Sequence, residues 1–197
     1  MQAIAIRHNG KPICVAGSAL GEILAVHVTG DIEGHEPIYL TVTGMNDLDG
    51  KRHSHTTWVD ALNLSFGDSL EFSLIESEAV SSPIKDVAAD SEEHLAEMRW
   101  LEEQEKTIAA PPPPRKRVLK NLRFSMAVNG NEATSARLEG DDEFVTFSIV
   151  WDKYRPEQFR TNLRTFSSVD AWARKEARKW FDSKVGVGDS IVLTIAA

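Results

Sequence analysis

Phe66-Gly67-Asp68-Ser69-Leu70 opens a segment that recurs later in the chain as Val187-Gly188-Asp189-Ser190-Ile191. Glycine accepts a positive φ at little steric cost, and Asp and Ser side chains cap neighbouring amides, so each Gly-Asp-Ser predicts a tight corner. Apolar residues then alternate with other types, which is typical of a half-buried strand. The predicted inward positions are Leu70, Phe72 and Leu74 in the first copy and Ile191, Leu193 and Ile195 in the second.

Other landmarks repeat at nearly the same spacing. Asn9-Gly10, a strong hairpin signal, stands 120 residues before Asn129-Gly130, and the two Gly-Asp corners are 121 residues apart. Trp58-Val59-Asp60 precedes the first segment much as Trp180-Phe181-Asp182 precedes the second. This constant offset favours an internal duplication, and 197 residues then suit two small domains.

The rest of the pattern predicts an α+β fold. Alternation predicts strands over residues 2–8, 12–16, 23–29, 38–43 and 52–57, and again over 122–128, 144–151 and 158–166. Capping patterns at Thr57 and Ser167 predict helices over 58–63 and 168–181. We therefore expect two similar, mainly antiparallel β-sheet domains, each with one helix before its last strand.

A change of composition separates the two predicted domains. Asp90 and Glu93 form an acidic capping box, and residues 91–109 have helical periodicity. Pro111 to Pro114 favour a stiff polyproline segment that ends this helix. The predicted division is a first repeat over 1–83, an acidic helix and Pro-rich linker over 84–117, and a second repeat over 118–197.

Charge is divided unevenly along the chain. Residues 1–110 hold 7 Lys or Arg against 19 Asp or Glu, a net charge of −12, and residues 111–197 hold 15 against 11, a net charge of +4. An acidic half favours a basic partner, although ordinary solvated faces also explain such a division.

Four residues are predicted to bind a partner. Glu97 and Trp100 belong to the predicted acidic helix, where Trp100 either anchors a partner or packs onto a domain. Arg174 and Arg178 lie on the basic face of the predicted helix 168–181, which favours phosphates and gives nucleic-acid binding as an alternative function.

Catalytic and metal signals are weak. His53 and His55 would project from one face of a strand, so a metal-dependent enzyme at this pair is a further alternative, but two ligands do not make a site. His27 is isolated, and Cys14 has the context of a buried thiol. Asp47 and Asp49 precede Gly50 without the flanking carboxylates of a calcium loop. The sequence predicts no catalytic residue, no metal ligand and no cofactor, and favours a protein that is not an enzyme.

One further segment carries a resemblance. Trp58, Gly67-Asp68 and the run from Glu76 to Pro83 resemble the closing segment of small uncharacterised bacterial proteins. The resemblance covers residues 58–83 and implies a bacterial origin, but it implies no activity.

The predicted function follows from these observations. No apolar run is long enough to span a membrane, and Arg7 interrupts the start before a signal-peptide core forms, so we expect a cytoplasmic protein without a membrane partner. We expect a non-enzymatic interaction protein, an inhibitor or immunity-like partner, that binds another protein through its acidic amino-terminal half.

Overall fold

The computed structural model describes residues 1–31, 38–107, 122–138, 142–167 and 176–196. Within these ranges the chain forms thirteen strands and one helix. The first half contains β1 (Gln2–His8), β2 (Lys11–Gly17), β3 (Gly21–Asp31), β4 (Ile38–Asp47), β5 (His53–Leu64), β6 (Ser69–Glu76), β7 (Lys85–Ala88) and α1 (Glu92–Thr107). The second half contains β8 (Arg123–Val128), β9 (Asn131–Arg137), β10 (Phe144–Asp152), β11 (Phe159–Phe166), β12 (Arg178–Val185) and β13 (Ser190–Ala196).

Both halves contribute to both of the antiparallel sheets. In the described ranges, six strands make one sheet in the order β2-β1-β6-β13-β8-β9, which we call the six-strand sheet. Seven make the seven-strand sheet, in the order β12-β11-β10-β3-β4-β5-β7. β6 pairs directly with its counterpart β13, and β3 pairs with its counterpart β10. The halves are therefore joined strand to strand in each sheet.

An approximate two-fold relation exchanges the halves. Glu71 lies opposite Val192 at the centre of the β6–β13 pairing, and His27 lies opposite Ser148 in the β3–β10 pairing. The members of each pair are 121 residues apart, which is the offset of the repeated segment. The register of β3 on β4 also recurs, at the same offset, as the register of β10 on β11.

The two sheets pack face to face around one apolar core. Leu70 and Ile191, from the two copies of the repeated segment, are both fully buried, as predicted. Across the core the rings of Phe72 and Phe147 lie 5.4 Å apart, so one half packs directly on the other. Full burial of a Leu, Ile or Phe side chain stabilises the fold by about 1.5–3 kcal/mol. Because the core draws on both halves, each half stabilises the other.

The predicted α+β class is wrong. Residues 58–63 belong to β5 and residues 178–181 to β12, where a helix was predicted before each last strand. The pairing of β5 with β4 contains bulges, and Ala61 takes a φ of 50°. As a result Trp58 and Val59 are buried in succession, which breaks the two-residue alternation by which strands are recognised.

The predicted arrangement of one sheet in each half is also wrong. Paired strands join the halves in both sheets, so α1 does not link two separate sheets. α1 itself occupies Glu92–Thr107, within the predicted helix 91–109, and lies beside β7. The Pro-rich residues 111–114 and the first part of the predicted basic helix, 168–175, lie outside the described ranges.

The Asn-Gly and Gly-Asp-Ser motifs of each half meet at one corner. In the second half Asn129 donates from Nδ2 to Asp189 Oδ1 at 2.7 Å and accepts from the Ser190 amide at 2.8 Å. The first half has the same two bonds from Asn9, at 2.7 Å to Asp68 and 2.9 Å from Ser69. Both asparagines have a φ of 52°, a conformation that Asn tolerates better than most residues.

The corners also hydrogen-bond across the two halves. The Gly67 amide donates to the Ile195 carbonyl at 2.8 Å, and the Gly188 amide donates to the Leu74 carbonyl at 2.8 Å. Both glycines have a φ of 93°, which side-chain-bearing residues rarely adopt. Each corner therefore extends the pairing of its own strand with the other half.

We expect Asn129→Ala to lower the free energy of unfolding by about 1–3 kcal/mol. Alanine adopts the positive φ poorly and cannot bond Asp189 or Ser190. Urea denaturation followed by tryptophan fluorescence measures the change. Asn131→Ala is the matched control, because the side chain of Asn131 makes one weak hydrogen bond, from Nδ2 to the Asn129 carbonyl at 3.3 Å. Equal losses in the two variants would contradict the structural role of Asn129.

We also expect acid to weaken the corners. The hydrogen bond from Asn129, followed by that from the Gly186 amide, holds the pKa of Asp189 below its usual range. A depressed folded-state pKa gives stability that is present above the unfolded pKa of about 3.9 and is lost as pH falls through the folded value. The free energy of unfolding should thus fall below about pH 5, and less steeply in Asp189→Asn than in the control Asp60→Asn. If the free energy of unfolding fell equally steeply with pH in the two variants, the stabilising role of the Asp189 carboxylate would be refuted.

Candidate functional site

α1 is an exposed helix at one edge of the seven-strand sheet. The His94 amide donates to Ser91 Oγ at 3.2 Å, so Ser91 caps the helix in place of the predicted Asp90. The His94 ring stacks on His55 of β5, with ring centroids 4.9 Å apart. This contact and the strand β7 fix the first turn of α1 against the sheet.

Three large apolar side chains on α1 remain open to solvent. Leu95 is 48% exposed, Met98 is 43% exposed and Trp100 is 57% exposed. More than half of the Trp100 side chain is therefore open to solvent. The helix 92–107 has six Glu residues against one Arg and one Lys, so its sequence is strongly acidic.

Of the four predicted partner-binding residues, the structure describes the side chains of Trp100 and Arg178, and these two lie apart. Trp100 lies on α1 beside β7, whereas Arg178 lies on β12 at the opposite edge of the seven-strand sheet. The side chain of Glu97 and the whole of Arg174 lie outside the described residues. Sequence reasoning could not place these residues, because the order of strands in the sheet depends on pairing between the halves.

Arg178 is engaged within the fold. Its Nη1 lies 3.3 Å from Asp142 Oδ2, and its guanidinium lies 5.8 Å from the centroid of the Trp180 ring. Its neighbour Lys179 is 3.3 Å from Asp182 Oδ2. Both basic residues belong to a strand, so they are not part of the continuous basic helix on which the nucleic-acid hypothesis was based.

The two histidines of β5 have different partners. His53 Nδ1 lies 3.0 Å from Glu22 Oε2, a close contact without the alignment of a good hydrogen bond. His55 stacks on His94, and burial, followed by the nearby charges of His94 and His53, lowers its pKa. Among the residues that the structure describes, no group of three or more His, Cys, Asp or Glu side chains is placed to hold a metal ion.

A buried carboxylate near His53 joins the two halves. Glu22 is only 7% exposed and contacts Lys153 from the second half. Lys153 Nζ also lies 3.4 Å from Asp47 Oδ2, and the bond to Glu22 is the main reason that the pKa of Lys153 is raised. The Asp47 carboxylate also accepts a hydrogen bond from the Gly50 amide, so it stabilises the turn that leads from Asp47 to Gly50.

Cys14 lies on β2 and is partly buried. Burial raises the pKa of its thiol to about 11, so the thiol is protonated at neutral pH. A protonated thiol is a poor nucleophile, which agrees with the sequence-based interpretation of Cys14.

A polar groove of about 490 Å³ crosses the outer face of the seven-strand sheet. It is built from two neighbouring rows of side chains on β4, β3, β10 and β11. One row consists of Thr41, His27, Ser148 and Asn162. The other consists of Tyr39, Thr29, Thr146 and Arg164. We call this surface the axial groove, because it contains the His27–Ser148 pair at the centre of the two-fold relation.

The axial groove was missed in the sequence. His27 was treated as an isolated histidine, but burial in the groove lowers its pKa, and it has hydroxyl-bearing neighbours on both sides. Alternation on each strand identified the outward positions, and this signal could have found the lining residues. It could not show that β3 pairs with β10, and half of the groove comes from each side of that pairing.

Comparison with family models, with curated proteins and with solved structures finds no match to this chain. The resemblance of residues 58–83 to small bacterial proteins therefore stays a prediction. Within the described ranges, no helix has the length and apolar character needed to cross a membrane.

Loss of the buried charge at Glu22 is expected to weaken the contact between the halves. We expect Glu22→Gln to lower the free energy of unfolding by about 1–3 kcal/mol, because hydrogen bonds to charged groups are worth more than neutral ones. Chemical denaturation provides the measurement. Glu132→Gln, on the exposed part of β9, is the control, and a loss no larger than in that control would argue against the role of Glu22.

Proposed function

We propose that this chain is a non-enzymatic interaction protein, of the inhibitor or immunity-like kind, which binds a basic protein partner through α1. The observation that carries the proposal is the exposure of Leu95, Met98 and Trp100 on one acidic helix. Isolated exposed apolar residues are common on protein surfaces, but here three lie within two turns of one helix. Leu95 and Met98 share one side of the helix and Trp100 projects from another, so a partner that encloses these turns can bury all three.

Charge supports a partner of basic character. Residues 1–110 have a net charge of −12, and α1 alone contributes six Glu residues. Such a field attracts a basic surface, raises the rate of encounter and disfavours acidic competitors. Affinity then comes from burial of the apolar side chains, among which an exposed Trp has the largest area to lose to the interface.

The attachment of α1 suits a binding element. The helix is held at its first turn, through Ser91 and the His94–His55 stack, and the apolar residues follow on later turns. A partner can thus enclose those turns without displacing a strand.

The proposal is tested with the full chain as bait. A bound protein is first identified by capture, and its affinity is then measured with purified components. We expect Trp100→Ala to weaken binding by roughly thirtyfold, the effect of losing about 2 kcal/mol at an aromatic hot spot. We also expect binding to weaken as salt is raised, because opposite charges attract less strongly in high ionic strength.

A matched variant separates this surface from general stickiness. Leu95→Ser/Met98→Ser/Trp100→Ser replaces these three exposed groups of α1, whereas Leu20→Ser/Phe66→Ser/Tyr154→Ser replaces three exposed groups elsewhere. Only the first should lose the partner, with both variants folded by circular dichroism. Equal affinities of the two variants, or a captured protein with an acidic surface, would refute the proposal.

A further inference from the structure

The axial groove lies away from α1, in the middle of the seven-strand sheet, and its chemistry differs from that of the acidic helix. Among the residues that the structure describes, its lining contains hydroxyls, an amide, an imidazole, one guanidinium and the Phe166 ring, and no carboxylate. In a chain with 30 acidic residues against 22 basic ones, a concave surface without an acid is a distinct environment. Such a surface suits a ligand that carries negative charge.

Arg164 is the cation of this groove. Its Nη2 lies 3.3 Å from Asp182 Oδ2 on the neighbouring strand, which holds the guanidinium in place. Its Nε is enclosed and has no hydrogen-bond partner among the described residues. Because Nε is closed to solvent, a ligand in the groove would contact the Nη groups, which carry four of the five N–H donors of the guanidinium.

The hydroxyl-bearing residues surround the remaining space. Thr29 and Thr146 lie beside Arg164 in its row, and Ser148 lies in the next row. Asn162 donates to Ser148 Oγ at 2.7 Å, which orients both groups. A hydroxyl both donates and accepts, so this surface matches the hydroxyl groups of a ligand as well as its charge.

The size of the groove limits the ligand. Four neighbouring strands cover about 14 Å across the sheet, and two rows of outward side chains are separated by about 7 Å along the strands. That footprint accommodates a small sugar lying flat on the sheet. The ring of Tyr39, at the opposite end of the row from Arg164, supplies an apolar surface with a polar tip.

We propose that the axial groove binds a sugar acid, with its carboxylate on the Arg164 guanidinium and its hydroxyl groups on Thr29, Thr146 and Ser148. A single carboxylate suits this site better than a doubly charged phosphate. Asp182 already neutralises part of the Arg164 charge, and burial of His27 lowers its pKa, so the groove offers little further positive charge.

The test follows backbone amide shifts in ¹⁵N-labelled full-length protein. D-Glucuronate is the probe, and D-glucose, acetate and inorganic phosphate separate the contributions of the hydroxyls, the carboxylate and charge alone. We expect glucuronate to shift amides of β3, β4, β10 and β11 and to bind at least about tenfold more tightly than each of the other three.

Two variants locate the site. Arg164→Gln should weaken glucuronate binding by about tenfold or more, because it removes a charge-assisted hydrogen bond. Arg160→Gln is the matched control: Arg160 is on the same strand and face, also pairs with an aspartate, and lies outside the groove. Thr146→Val, which removes one hydroxyl at nearly constant volume, gives an independent measurement if Arg164→Gln disturbs folding.

Four results would overturn the proposal. They are no amide shifts with glucuronate, equal affinity for glucose, equal affinity for phosphate, and equal weakening by the Arg164 and Arg160 changes. Weakening in Arg164→Gln or Thr146→Val, with full binding retained in Arg160→Gln, would support it.

Discussion

The structure depends on the pairing of β6 with β13, the two copies of one segment. Backbone hydrogen bonds between these strands continue into the corners, where the Gly67 amide reaches the Ile195 carbonyl and the Gly188 amide reaches the Leu74 carbonyl. Each corner needs a positive φ, which explains why glycine stands at both positions. Separation of the halves would expose the edges of two sheets and open the common core, so the repeated units are stable together rather than apart.

Local features of the fold could be predicted from the sequence because they depend on neighbouring residues. The hairpin turns at Asn9-Gly10 and Asn129-Gly130, the Gly-Asp-Ser corners and the inward positions of Leu70 and Ile191 are all observed. The α+β class was wrong because bulges in β5 interrupt alternation near Trp58. The joining of the halves could not be predicted, since either copy of an edge strand can pair within its own unit or with the other.

The candidate sites also divide into features that depend on neighbouring residues and features that depend on the pairing of the two halves. The composition of α1 and its Trp100 were evident in the sequence, and the structure adds that the side chains of Leu95, Met98 and Trp100 are exposed. Arg178 belonged to a predicted helix, but on β12 it lies against Asp142 and the Trp180 ring. The axial groove had no sequence motif, because its residues are single outward positions on four strands from both halves.

A single chain with this repeat differs in one respect from a dimer of identical subunits. In a symmetric dimer, the residue at the rotation axis would meet its own copy, and the surface on one side would duplicate the other. Here His27 meets Ser148, and Thr41 corresponds across the centre to Asn162. A small molecule over this point would encounter unlike chemistry on its left and right, and would therefore bind in one orientation. A mutation in one half of the groove also leaves the other half unchanged, whereas in a dimer of identical subunits the same mutation would appear on both sides.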